Sequence, residues 1–340
     1  MHPILISLAV AAAAAPPPPS PEPPADAEEI VVTGTPEEPD LASSVSHIAR
    51  VRTVPGLPAA TGLPMVTDYL RLFPGTAIAT AGPSGSQTQV RLRGAEANHT
   101  LLVVDGIRFN DPAAGNEARF ELLGTDFVDR MTLYLGPRSA LWGSEAIGGV
   151  VTVETLDPYS TGERVGGRGE YGSLDSARGS VSVRDHEGKV RFAATAAWMR
   201  SDGIDSFGVG GGERDGFDNK SASAQLVYAP VKALELGIVG HWLEGESEYD
   251  GFDPLTFRRA DTLDSTRNRI GAVRGWATAK AKGWTLTLDG SLLASANRNL
   301  LAEAPLNGTF GRRFTASARV SKKAGGHLIT AAAEHQSEQF

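Results

Sequence analysis

The chain divides by its hydrophobic rhythm. From about residue 165 to Phe340, apolar and polar residues alternate with period two, the mark of strands with one apolar and one polar face. Trp284, Leu286, Leu288, Leu292 and Ala294 share one parity; Thr285, Thr287, Asp289, Ser291 and Ser295 share the other. Val190, Phe192, Ala194, Ala196 and Trp198 make another apolar face, as do Leu234, Leu236, Ile238 and Trp242, and Phe314, Ala316, Ala318 and Val320. The run Ile270 to Lys280 is less regular, because Arg274 shares parity with Ile270 and Trp276. At a bilayer midplane an Arg costs about 2–4 kcal/mol, so Arg274 is expected near an interface or turned inward past a bulge. Counting back by twos from Phe340 gives Glu338, Gln336 and Glu334, an acidic and polar face where a membrane strand needs apolar residues. The pattern there reads as a chain that stops in mid-strand.

The links between these strands alternate in length. His186-Glu187-Gly188, Pro230-Val231-Lys232, Lys282-Gly283 and Lys323 to Gly326 are short. Asp202 to Asp218, Ser247 to Thr266 and Asn299 to Gly311 are long. Short links on one side and long ones on the other are the pattern of an outer-membrane barrel, and a soluble sandwich gives no reason for it. Trp198 and Trp242 fall near the long-link ends, where an aromatic girdle belongs. About nine strands are expected, an odd number that does not close an ordinary bacterial barrel.

Residues 40 to 157 read differently. Leu101 to Val104 and Val150 to Val153 are continuous apolar runs, expected as buried strands punctuated by glycine. Val45 to Val51 is expected as a strand, and Asp68 to Phe73 as a short helix capped by Thr67 and stopped at Pro74-Gly75. Ala77 to Ser86 reads as loop. Val90 and Leu92 alternate with Arg91 and Arg93, and Val128 to Leu135 alternates before Gly136-Pro137. Asp105-Gly106 after an apolar run is a type I′ hairpin signal. Asp105 and Asp111 read as turn residues rather than a carboxylate pair. His99 has no ligand-spaced partners, and Gly208 to Gly212 follows no buried strand and opens no helix, so it is not a dinucleotide loop. No catalytic constellation appears, and no enzyme activity is expected.

At the N-terminus, Ile4 to Ala15 is apolar and ends in small residues, so residues 1–15 read as a secretory signal peptide, although no Lys or Arg precedes the run. Residues 16–39 are a Pro-rich leader, extended where Pro16 to Pro24 forms polyproline II. Within it lies Glu29-Ile30-Val31-Val32-Thr33-Gly34, a strand-former between flexible segments. Such a segment suits addition to a partner's sheet edge. Taken alone it serves equally well as an ordinary first strand.

Composition adds exclusions. The net charge of −8 and pI near 5.5 give no footprint for nucleic acid. With no Cys there is no disulfide, Cys-ligated metal or Cys nucleophile. No apolar run reaches the ~18–20 residues of a membrane helix. A mean hydropathy of −0.16 suits a soluble chain and a β-barrel equally, because alternating strands average out.

Arg93-Gly94, Asn98-His99-Thr100, Val104-Asp105-Gly106-Ile107-Arg108, Asn110-Asp111 and the long run Gly136-Pro137-Arg138-Ser139-Ala140-Leu141-Trp142-Gly143-Ser144-Glu145-Ala146-Ile147-Gly148-Gly149-Val150 resemble the plug domain of TonB-dependent outer-membrane receptors. The likeness is greatest to the cobalamin receptor subgroup. Leu135 departs from the family, which usually has Arg before Gly-Pro. The resemblance implies a mixed α/β plug at 40–157 followed by an incomplete antiparallel transmembrane β-barrel at 165–340. Nine strands would stand where plugged receptors have about 22, with about 260 residues missing at roughly 20 per strand and link. It implies the outer membrane of a Gram-negative bacterium, with Glu29 to Gly34 as the TonB box bound by TonB and its inner-membrane energising complex. It implies uptake of cobalamin, with a ferric siderophore as the alternative ligand, or else a truncated fragment that transports nothing. No cofactor is required. Cobalamin receptors can carry Ca²⁺ in their first long loops, and Asp205, Glu213, Asp215 and Asp250 stand at positions resembling those ligands. Convergent carboxylates suit an ion that takes six to eight oxygens; loop acids in solvent are an equal reading.

Overall fold

The computed structural model describes residues 50–55, 62–159, 165–208, 212–253, 255–324 and 327–340. The signal peptide, the Pro-rich leader and the Glu29 to Gly34 segment lie outside the described residues.

The first described strand, β1 (Arg50–Pro55), contains the end of the strand expected over Val45 to Val51, whose residues 45–49 lie outside the described residues. Helix α1 (Val66–Leu70) starts after Met65, not after Thr67. The Asp68 carboxylate accepts the Met65 N–H at 3.1 Å and supplies the cap, while Thr67 and Leu70 are buried. Part of the expected loop is strand: β2 (Thr76–Thr80) pairs antiparallel with β3 (Thr88–Leu92), placing Ile78 opposite Val90. Ile78 alone gives β2 an apolar anchor, so its alternation is too weak to read.

The plug sheet follows. β4 (Thr100–Val104) turns through Asp105 and Gly106, φ 44° and 82°, into β5 (Ile107–Arg108), the type I′ geometry. After the short β6 (Asn110–Asp111) and β7 (Glu117–Ala118) come β8 (Arg130–Leu135), helix α2 (Ser139–Trp142) and β9 (Gly149–Glu154). The five-stranded order is β1-β8-β9-β4-β5, with β4 and β9 parallel. Both faces of that central pair are covered, which explains its unbroken apolar runs. Leu101, Val103 and Val150 pack with Trp142 and Ala146 on one side. Leu102, Val104, Val151 and Val153 join the large cluster on the other.

The remaining strands are β10 (Val165–Tyr171), β11 (Ala177–Glu187), β12 (Val190–Ile204), β13 (Asp215–Val231), β14 (Leu234–Tyr249), β15 (Asp264–Ala281), β16 (Trp284–Leu301), β17 (Ala304–Ala324) and β18 (His327–Gln339). They form one nine-stranded antiparallel sheet in sequence order. Outward faces carry Trp284, Leu286, Leu288 and Leu292, all exposed, while Leu293 and Ser295 on the other parity are buried. Among the described residues no helix is long and apolar enough to cross a membrane.

Three expectations are corrected. Asn299 to Gly311 is not a long link: β16 and β17 continue to a two-residue turn at Ala302-Glu303, φ 46° and 68°, with Pro305 paired to Leu300 and a register shift beside it that leaves Leu306 as the extra residue. Arg274 does face inward, but without a bulge, because the register of β15 on β16 is unbroken from Ser265 to Ala281. Ile270 and Trp276 point inward with it, buried against the plug and beside Val227 and Val239 respectively. The Glu334-Gln336-Glu338 parity is not a failed lipid face. It turns toward the plug, with Glu334 and Gln336 on Arg108 at 2.7 and 2.9 Å and Glu338 on Arg313 at 2.6 Å. The polar residues that argued against a membrane strand are therefore its inward side.

Candidate functional site

The large apolar cluster is shared between plug and sheet: Leu243, Ile270, Ala272 and Leu293 of the strands pack with Val104, Ile107 and Phe127. Around this dry contact lies a ring of charge. Arg274 donates to the Asp105 carbonyl at 3.0 Å and forms an ion pair with Asp289. His241, with no exposed side-chain surface, sits 3.4 Å from the Asp105 carboxylate between the Phe109 and Phe127 rings. The same carboxylate accepts the Thr155 N–H at 3.0 Å, and the Thr155 hydroxyl reaches Ser223 of β13 at 3.1 Å. Asp111 caps Ala113 and accepts from Ser295 at 2.6 Å. Asp105 and Asp111 are thus turn residues, as expected, and also contacts to the surrounding sheet. Arg313, 2% exposed, donates to the Asn110 carbonyl and to Asn116. Arg168 and Arg178 each approach Asp126 at 3.7 Å.

The motif residues build the plug side of this contact. Arg93 and Gly94 turn the chain after β3, with the Arg93 N–H on the Gly75 carbonyl. The Gly136 N–H reaches the Gly148 carbonyl at 3.0 Å, so the segment from Gly136-Pro137 to Gly148 folds back on itself. Gly143 closes α2 beside the Arg108 guanidinium. Gly149 lies between Thr100 and Leu135, and a Cβ there would overlap the Tyr134 carbonyl oxygen.

One buried acid stands out. Glu121 accepts the Thr88 N–H at 3.2 Å through one oxygen, while its other oxygen has no hydrogen-bond partner and lies 3.8 Å from Arg119. Burial pushes its carboxyl up to about 7, against the opposing pull of Arg119.

The loop acids do converge. Ligand oxygens of Glu213, Asp250 and Asp261 lie within 4.8 Å of one another. Asp205 and Asp261 both approach Gly212. Asp215 is 1% exposed, with one carboxylate oxygen taken by the Ser206 N–H and the other without a hydrogen-bond partner. Asp205 and Glu213 also hold a buried oxygen with no partner. Burial and then its acidic neighbours Asp215, Glu248, Asp250 and Asp261 push Glu213 up to about 7. Sequence reading had four of these acids and missed Asp261 and Glu248, which come from the far side of the second long link and the end of β14.

The described residues thus place a mixed α/β unit against the inward face of a nine-stranded antiparallel sheet whose outward face is apolar. Residues 59–150 match the family described as TonB-dependent Receptor Plug Domain. The fold is similar to that of the siderophore receptor PirA from Acinetobacter baumannii, with TM-score 0.66 and 16% identity over 87% of this chain and 49% of that one. It is also similar to the ferric yersiniabactin uptake receptor FyuA from Yersinia pestis, with TM-score 0.65 and 17% identity over 86% of this chain and 49% of that one. The ferric enterobactin receptor PfeA from Pseudomonas aeruginosa, in a mutant form, matches with TM-score 0.65 and 16% identity over 87% and 50%. At these identities the likeness is one of fold, and the chain spans about half the length of the solved structures it matches. The matched family is one of receptors rather than enzymes.

Proposed function

We propose that the chain is a TonB-dependent outer-membrane receptor that takes up a scarce nutrient without altering it. The observation that carries this reading is the plug at 59–150 seated by buried charge and a shared apolar core on the inward face of the sheet. Ligand binds at the long-link end, TonB pairs with Glu29 to Gly34, and force on that segment rearranges the plug. The ferric siderophore receptors among the solved structures support a ferric siderophore as cargo, and the resemblance of the plug motifs to the cobalamin receptor subgroup keeps cobalamin as the other candidate. Uptake of each ligand by cells with and without TonB tests the function. Val31→Pro removes a backbone donor from the pairing segment and should abolish uptake while surface binding persists. Uptake that continues without TonB overturns the reading.

We infer further that Asp205, Glu213, Asp215 and Asp250, joined by Asp261, hold Ca²⁺. The partnerless buried oxygens of Asp205, Glu213 and Asp215 support this reading, since a hard cation satisfies several at once. Calorimetric titration should show binding that strengthens as pH rises through about 7, where Glu213 gives up its proton. No heat at millimolar Ca²⁺ overturns it.

A further inference from the structure

A cavity of about 490 Å³ opens between the plug and the long-link ends of β14 to β17. Ser86, Gln87, Glu117 and Arg119 line it from the plug; Ser247, Tyr249, Thr266, Asn268, Asn297, Asn299 and Thr309 line it from the strands. The strand residues stand in two cross-strand rows, Ser247–Thr266–Asn299 and Asn268–Asn297–Thr309. Neighbours in these rows bond to each other: Asn297 donates to Asn268 at 2.7 Å and Thr266 to Asn299 at 2.8 Å. An amide carries two donor hydrogens and two acceptor sites, so each row keeps capacity for a ligand after bonding internally.

The cavity's charges are already used. Glu117 accepts from Gln87 and Gln89, and Arg119 is paired with Asp111 at 3.2 Å and close to Glu121. At the same height the strands place Arg267, Arg269, Arg298 and Arg312 on the outward parity, all exposed. The nearest loops add acids, Asp250 following Tyr249 directly. An anionic ligand would lose hydration in this cavity and, among the described residues that line it, meet no cation beyond the already paired Arg119, which is unfavourable. A neutral ligand rich in amides or hydroxyls would trade water for the Asn rows at little cost.

We propose that this cavity seats an uncharged, amide- or hydroxyl-rich ligand and discriminates against polyanionic ferric catecholates. The proposal rests on the receptor reading above and names its ligand class. Calorimetry on the full chain in detergent, with cyanocobalamin, maltoheptaose and ferric enterobactin as probes, tests it. One neutral probe should bind; cyanocobalamin alone points to amides, maltoheptaose alone to a carbohydrate. Asn268→Leu and Asn297→Leu should each weaken that binding about tenfold. Asn268→Asp keeps the shape and should weaken it similarly, with circular dichroism confirming that all three variants fold. Tighter binding of ferric enterobactin, binding of neither neutral probe, or neutral binding unmoved by the folded variants overturns the proposal. TonB-dependent uptake of ferric enterobactin would overturn the ligand class alone, whereas TonB-independent uptake would overturn the receptor reading.

Discussion

Glu121 holds a proton where an unfolded chain would not. Its carboxyl sits at about 7 in the fold against an ordinary value of 4.5, because burial outweighs Arg119. Between those values the folded state binds more protons than the unfolded one, so stability falls as pH rises through this window. The stabilisation is fully present below about pH 4.5 and is gone above about 7, a swing on the order of 3 kcal/mol. Glu121→Gln keeps an acceptor for the Thr88 N–H and removes the titration. Hydrogen exchange at Thr88 should slow with acidification from pH 7 to 5 in the native chain and show no such trend beyond intrinsic exchange in the variant. Identical profiles would sink the assignment. The same proximity of charge and apolar core explains why Asp105, a plain turn residue in the sequence, also receives His241 and Arg274 from strands more than a hundred residues away.

Along β15 two adjacent residues have opposite environments. Val273 is 40% exposed on the outward face, and Arg274 is buried, holding Asp289 and the Asp105 carbonyl. Val273→Arg should cost about 2–4 kcal/mol if that position lies near the bilayer midplane. Arg274→Val should cost roughly 3–5 kcal/mol by leaving Asp289 unpaired, and should also speed exchange at the Gly106 amide. Unfolding titrations in lipid vesicles check both; a tolerated Arg at 273 would mean the outward face is not lipid-facing. The sequence made the period, the strand count and the I′ turn legible because each is local. It hid the orientation of β15, because Ile270, packed on the plug, and Trp276, packed beside Val227 and Val239, are apolar residues that a membrane would satisfy equally well. It hid Asn299 to Gly311 because Pro305 and Gly308 signal a loop locally, while eighteen paired positions between β16 and β17 hold the strand. Glu334 to Glu338 misled for the same reason: the polar face was visible, but its partners Arg108 and Arg313 are distant in the chain.

For the whole molecule, the shared core sets what can stand alone. Val104, Ile107 and Phe127 bury against Leu243, Ile270 and Leu293, and the plug's turns bond to strand side chains rather than to water. Residues 59–157 expressed alone would expose that apolar face and part Asp105 from Arg274 and His241, Asp111 from Ser295, and Asp126 from Arg168 and Arg178. The loss of several fully buried contacts, at about 1.5–3 kcal/mol each, exceeds what a domain of this size can spare. The isolated segment should therefore show weak amide protection on the β5 side of its sheet, while the Leu101–Val103–Trp142 side, packed wholly within the plug, stays protected longest. Residue-resolved hydrogen exchange on the segment and on the full chain measures this directly. Uniform, full-chain protection across the isolated segment would show that the wall merely encloses the plug. Protection graded from the Trp142 side to the Asp105 side would show that the wall completes its core.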